Sequence, residues 1–163
     1  MKDNLLFQHN PMVIKIPSPQ KILIIYNPIS SAGNTEAMAC KLETELMFHG
    51  KTVEVRTSEK KMKGYMRISD DIAASDLVVV VGGDGTIRKL LDIINKTATP
   101  IYAIPGGNES LFARFYEMSA SAEDLLQSIT SGTCLQQFYG LISVKGIQGE
   151  KPFFNMASMG LDS

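Results

Sequence analysis

Cysteine is scarce and long apolar runs are missing, and each lack removes a class of protein. The two cysteines, Cys40 and Cys134, fall in neither a CxxC nor a metal-ligand spacing. They read as reduced, half-buried thiols, not as a disulfide or half of a zinc site, and this places the chain in the cytoplasm. No apolar stretch comes near the roughly 20 residues of a membrane span, and MKDNLLFQHNPMVIKIP at the amino end has neither an h-region nor a cleavage site. Peripheral contact with a membrane stays open. An excess of one charge is also lacking. With 16 Lys and Arg against 17 Asp and Glu the formal net charge is −1, which argues against a nucleic-acid binder relying on bulk electrostatics. What is present, 163 residues at 44% hydrophobic and 20% charged, is enough to bury the core of one domain with room for part of another.

Residues 1–20 carry Pro11, Pro17 and Pro19 and read as an irregular leader or edge segment. Lys21 to Tyr26 (KILIIY) is a buried strand. Glu36 to His49 follows as a helix with Met38, Leu42, Leu46 and Met47 on one face, closed by Gly50. Lys51 to Thr57 alternates as a half-buried strand, and Ser58 to about Ala74 is a second helix. Its Lys60, Lys61, Lys63 and Arg67 read as a solvated face, with acidic lipid headgroups as the alternative. Leu77 to Gly82 is a β-branched run of the kind buried on both faces in a parallel sheet. Ile87 to Asn95 is amphipathic, Pro100 to Ile104 is another strand, and short helices span Ser110 to Tyr116 and Ala122 to Ile129, the latter with Ser121 as N-cap and Gly132 at its end. The alternation βαβαβαβα predicts an α/β fold, an open parallel sheet with helices on both faces, over residues 21–132.

Ligands on such sheets sit beyond the carboxyl ends of the strands. Three loops rich in glycine, small or hydroxyl residues fall there: Asn27 to Asn34, Gly82 to Thr86 and Pro105 to Asn108. Gly82, Gly83 and Gly85 allow a sharp turn and leave backbone N–H groups to receive an anion. A connection that needs glycine for geometry alone is the competing reading. After Gly132 the pattern changes to a strand at Leu135 to Val144, a turn at Gly146 to Glu150 and a strand at Pro152 to Met156. Residues 133–163 therefore read as the beginning of a truncated antiparallel β domain.

KILIIYNPISSAG at Lys21 to Gly33, GGDGT at Gly82 to Thr86, IPGGNESLFAR at Ile104 to Arg114 and FFNMASMGLD at Phe153 to Asp162 share the order and spacing of the diacylglycerol kinase catalytic family. The chain resembles that family over residues 21–163. The resemblance implies ATP-dependent transfer of the γ-phosphoryl group to a lipid hydroxyl, with ATP between an NAD kinase/diacylglycerol kinase-like α/β domain and a β-sandwich. It implies ATP and Mg²⁺ as cofactors and a lipid acceptor as partner, at a membrane surface in some settings, with a homodimer allowed. The positions implied at the nucleotide are Asn27, Pro28, Ile29, Ser30, Ser31, Thr57, Gly82, Gly83, Asp84, Gly85, Thr86, Ile87, Arg88 and Asn108. Among these Asp84 belongs to the phosphate and metal network, with an Asx turn within its own loop as its structural alternative, and Thr86 caps the following helix and touches phosphate.

The departures from the family are specific. In its P-x-G-T-x-N-D-F-A-R segment the threonine is Asn108, the asparagine Ser110 and the aspartate Leu111, while Arg88 and Lys89 replace an asparagine and a glutamate. The aspartate of its I-D-x-G strand falls on Phe138, before Gly140, and its acidic base falls beyond Ser163. These changes predict a catalytically incomplete chain. Two other readings stand beside the lipid kinase: a non-catalytic nucleotide-binding or regulatory module of the same fold, and an NAD kinase-like enzyme using the same glycine turn.

Overall fold

The computed structural model describes residues 12–30, 33–58, 62–143, 146 and 149–153. Ser31, Lys60, Lys61 and the segment Phe154 to Asp162 lie outside the described residues. In chain order the elements are β1 (Met12–Lys15), β2 (Lys21–Tyr26), α1 (Thr35–Phe48), β3 (Thr52–Thr57), α2 (Met62–Ala73), β4 (Leu77–Gly82) and α3 (Asp84–Thr97). There follow β5 (Ile101–Pro105), α4 (Leu111–Phe115), α5 (Ala122–Ser131), β6 (Thr133–Gln136), β7 (Gly140–Ser143) and β8 (Glu150–Phe153).

Strands β2 to β5 form one parallel sheet in the order β3-β2-β4-β5. Because side chains alternate across a strand, the unbroken apolar runs of β2 and β4 feed two cores at once. Ile22, Ile24, Val79, Val81 and Ile104 pack against Ala39, Leu42 and Leu46 of α1 and against Leu125 and Ile129 of α5. On the opposite face Leu23, Ile25, Val78, Val80 and Ala103 meet Ile68 and Ile72 of α2, Ile87 and Leu90 of α3 and Phe112 of α4. The predicted sheet with helices on both faces is therefore the observed one. Ser121 caps α5, its hydroxyl accepting from the Glu123 and Asp124 N–H groups at 3.1 and 3.3 Å. Two expected side-chain placements differ: Met47 is 57% exposed at the end of α1, and Cys40 is exposed where a half-buried thiol was expected, while Cys134 is partly buried.

Outside the sheet the sequence pattern is revised. Met12–Lys15 of the expected irregular leader is a strand, paired antiparallel with β6 in the register Met12↔Gln136 to Lys15↔Thr133. The single strand expected over Leu135 to Val144 is split, with 137–139 outside any element, and its second half pairs antiparallel with β8. No helix among the described residues is long and apolar enough to cross a membrane.

At the amino edge of the sheet, Asp76 ties the entries to β2 and β4 together. Its Oδ2 accepts from Gln20 N–H at 2.9 Å and Lys21 N–H at 2.8 Å, and these bonds hold its carboxyl below the ordinary value of 3.8. The stability it contributes is full above that value and is lost as pH falls through the lowered folded one. Asp76→Asn is expected to cost about 1 kcal/mol at pH 7. In urea unfolding, the gap between wild type and variant should close as the pH is taken well below 3.8.

Candidate functional site

All three loops leave the carboxyl ends of parallel strands, so the topology brings them to one rim. Hydrogen bonds between them then fix their relative positions. Asn27 N–H donates to Val81 O at 3.1 Å and Gly106 N–H to Gly82 O at 3.0 Å. The Ser30 hydroxyl donates to Gly106 O, which joins the first loop to the third. Thr35, buried at the start of α1, donates to Asn27 O at 2.7 Å, and Asn27 Oδ1 accepts from Ile29 N–H at 3.3 Å. Pro28 and Ile29 form the exposed tip, Ile29 being 67% exposed. Thr57 is exposed at the end of β3, level with Tyr26.

The glycines divide into two kinds. A Cβ on Gly107 would lie 2.8 Å from Gly83 Cα, one on Gly106 3.1 Å from Gly82 Cα, and one on Gly82 2.9 Å from Thr86 Oγ1. Gly106 and Gly107 serve the contact between the β4–α3 and β5–α4 turns and Gly82 leaves room for the Thr86 side chain of its own turn, as the geometric reading requires. Gly85 is different: a Cβ there meets nothing within 4 Å, and its φ is not positive. Neither packing nor backbone conformation calls for glycine at 85, whereas close approach of a ligand to the backbone would.

Helix α3 begins three residues earlier than its apolar periodicity indicates, at Asp84 with Gly83 as N-cap. The acidic side chain at Asp84 and the small residues after it make a first turn that carries no apolar signal. Thr86 consequently does not cap the helix. It is a buried first-turn residue whose N–H donates to Gly83 O at 2.9 Å. Ile87 is 1% exposed in the core under the rim, so its side chain has no face toward a nucleotide. The Asp84 and Gly85 N–H groups have no acceptor among the described residues. They open at the positive end of the α3 dipole.

Asp84 does not bond its own loop. Its Oδ2 accepts from Leu111 N–H and its Oδ1 from Phe112 N–H, each at 2.9 Å, which caps α4 across 27 residues of sequence. Ser110, the α4 N-cap, makes no side-chain cap bond and sits in the left-handed region at φ 47, so Asp84 takes over the capping function. The Ser110 hydroxyl instead accepts from Gly107 N–H at 3.2 Å. Asparagine, which the family carries at this position, tolerates such a φ better than serine. Asn108 and Arg88 are exposed, Asn108 on the third loop and Arg88 one turn along α3 from Asp84. Neither the Asp84–α4 contact nor the left-handed Ser110 was foreseen; the αL-tolerant asparagine of the family motif was the available signal for the second.

Mg²⁺, which the family implies, is usually held by one or two carboxylates, with phosphate oxygens and water completing six ligands. The described acids near the rim are Asp84, Glu36 and Glu109. Asp84 directs both oxygens to α4, Glu36 accepts from the Tyr26 hydroxyl at 3.2 Å, and Glu109 is exposed on its loop. Leu111, whose N–H donates to Asp84, is 38% exposed and occupies the position at which the family pattern carries an aspartate. No group of three His, Cys, Asp or Glu able to hold a metal occurs among the described residues. Among the described residues, Asp84, whose oxygens keep further lone pairs, and Glu109 are the carboxylates that would join phosphate oxygens and water around such an ion.

A parallel sheet flanked by helices, with a glycine-bearing rim and an open helix N-terminus at the carboxyl ends of its strands, defines an α/β protein with a candidate ligand site on that rim. The model of the diacylglycerol kinase catalytic domain matches residues 21–139, and the chain belongs to that family. A curated relative, a putative lipid kinase of Streptococcus pneumoniae serotype 4 (strain ATCC BAA-334 / TIGR4), is 25% identical over 135 residues. That match takes in 76% of this chain and 46% of the relative. Two solved structures from Bacillus anthracis str. Sterne, a putative diacylglycerol kinase and a diacylglycerol kinase, superpose with TM-scores of 0.54 and 0.56 at 21% identity. Each superposition covers 68% of this chain, and 42% and 40% of those structures respectively. The chain thus spans less than half the length of these relatives.

Proposed function

We propose that this chain is the nucleotide-binding part of an ATP-dependent lipid kinase, with residues 21–132 as the nucleotide domain and 133–163 as the start of a second, β-rich domain. The observation that carries the reading is Gly85: a glycine with no structural requirement, beside two backbone N–H groups without acceptors, on a rim built from the family's loops. Phosphoryl transfer is largely positioning and charge neutralisation, and such a rim supplies oriented donors for phosphate oxygens. In this reading Gly83, Asp84 and Gly85 offer backbone to the phosphates. Asn27 to Ser31, Thr57 and Asn108 border the nucleotide, and Asp84 positions the third loop. The acceptor is a lipid hydroxyl. Exposed Leu111 and Phe115, one turn apart on α4, give the rim an apolar shoulder that suits a lipid reached from the cytoplasmic face of a membrane.

The non-catalytic module remains the second reading, favoured by Leu111 and by Arg88 at positions where the family is acidic or neutral. Calorimetric titration of this chain with ATP, and transfer of labelled γ-phosphate to diacylglycerol in vesicles by the complete protein, separate the two. Saturable ATP binding with lipid phosphorylation is expected. Binding without turnover supports the module, and a flat titration refutes both.

A further inference from the structure

Strand β3 is the outer strand of the parallel sheet, paired with β2 on one side and with no described strand on the other. Its bonds to the β2 side begin with Thr52 N–H donating to Gln20 O at 2.9 Å and end with Ser58 N–H donating to Tyr26 O at 2.7 Å. Backbone groups alternate in direction along a strand, so Thr52, Glu54 and Arg56 face β2. Val53, Val55 and Thr57 turn their N–H and C=O groups outward, and an open row of this kind is a template for another strand. Arg56 reaches that row: its Nη1 donates to Val55 O at 3.1 Å, so the guanidinium lies over the open edge. A carbonyl has two lone pairs, and Val55 O can accept a second bond from a partner. Arg56 also bonds Asp71 through Nε at 2.9 Å and Glu54 through Nη2 at 2.8 Å. Of the five N–H donors of a guanidinium, two are left for a further acceptor.

The sequence along this edge is complementary to itself. Two copies of β3 set antiparallel about Val55 exchange paired backbone bonds at Val55 with Val55 and at Val53 with Thr57. Glu54 of each copy then stands directly opposite Arg56 of the other, in the non-hydrogen-bonded positions where side chains come closest. Registers centred one residue to either side put Glu54 against Glu54 or Arg56 against Arg56, and like charges directly opposite are destabilising. The charges select one register.

We infer that the β3 edge is an interface for a second copy of this chain, joined antiparallel about Val55 so that the two parallel sheets become one continuous sheet. The contact is isologous and closes at two copies. Arg56 bridges Glu54 of its own chain and Glu54 of the other, and Asp71 holds the guanidinium in place from α2. A contact of one short strand buries less than a standard interface, so the dimer is a reversible one. The pairing does not depend on what the rim binds.

The test is sedimentation velocity over a concentration series for the 163-residue chain as wild type, Glu54→Arg and Arg56→Glu, and for an equal mixture of the two variants. Wild type is expected to dimerise in the micromolar range. Either reversal sets like charges opposite each other at both crossings and should weaken dimerisation at least about tenfold. The mixture should recover it as a heterodimer, because an edge with two arginines then faces an edge with two glutamates. Both positions are exposed, and circular dichroism checks the fold of each variant. Hydrogen exchange locates the contact: the Val53, Val55 and Thr57 amides should slow as concentration rises, while those of Glu54 and Arg56, already bonded to β2, do not change. A wild type that stays monomeric up to about 1 mM would overturn the inference and leave Arg56 as a shield of the edge. Variants that dimerise like wild type, a mixture that does not recover, or a dimer with unprotected Val53 and Val55 amides would overturn it equally.

Discussion

Gly85→Ala is expected to leave the chain folded and slightly more stable while weakening ATP binding at least about tenfold, a loss of some 1.4 kcal/mol or more. The two effects have separate causes. An added Cβ meets no atom within 4 Å, and the residue is in the first turn of α3 at an ordinary φ, so nothing in the folded chain resists it. Alanine also loses less backbone entropy than glycine on entering a helix, worth roughly 0.5 kcal/mol near a helix end. The same methyl group would stand over the N–H groups of the α3 amino end, where a phosphate must approach within hydrogen-bonding distance. Gly107→Ala is the contrasting case. Its Cβ would come within 2.8 Å of Gly83 Cα, so the two turns must separate, at a cost of about 2 kcal/mol. Thermal unfolding and ATP titration on both variants distinguish the two kinds of glycine. Gly85→Ala should lose binding without losing stability, and Gly107→Ala should lose both. If Gly85→Ala binds ATP like wild type, phosphate does not approach that backbone.

The parallel sheet was legible in the sequence because its signals are local. The runs Lys21 to Tyr26 and Leu77 to Gly82 are uniformly apolar, as strands with both faces covered must be, and the intervening helices show their own periodicity. The convergence of three loops on one rim followed from parallel topology alone. Contacts between distant segments were not legible. Nothing near Met12–Lys15 announces that β1 pairs with β6, about 120 residues away, since an exposed four-residue strand has no burial pattern to detect. The start of α3 was misplaced for a related reason: apolar periodicity begins only where the helix touches the core, at Ile87, after a first turn spent at the rim. The site residues were divided by the same principle. Asn27, Ser30 and the glycines could be placed at the rim from topology, while the partner of Asp84 could not, because a carboxylate in a GGDGT turn has the same local sequence whatever it faces.

That partner determines the second large effect. Asp84→Ala removes the acceptor for two backbone N–H groups at the start of α4, a helix of five residues whose own N-cap, Ser110, makes no side-chain cap bond. A short helix cannot recover the loss through its own propensity, and two charge-assisted bonds on a partly exposed carboxylate are worth about 2 kcal/mol together. Asp84→Asn keeps one side-chain oxygen and a similar shape, so it should cost about half as much. The damage should be directional. Hydrogen exchange is expected to accelerate at Leu111, Phe112 and the 106–110 loop, with β2 and β4 protected as before, because those strands are held by sheet and core contacts that Asp84 does not touch. This pattern separates a positioning role from a ligand-contact role. If Asp84 acts through α4, nucleotide affinity should fall in step with the loosening of the loop, and Asp84→Asn should rescue about half of both. Loss of affinity with unchanged exchange at Leu111 and Phe112 would instead place the carboxylate directly against the ligand.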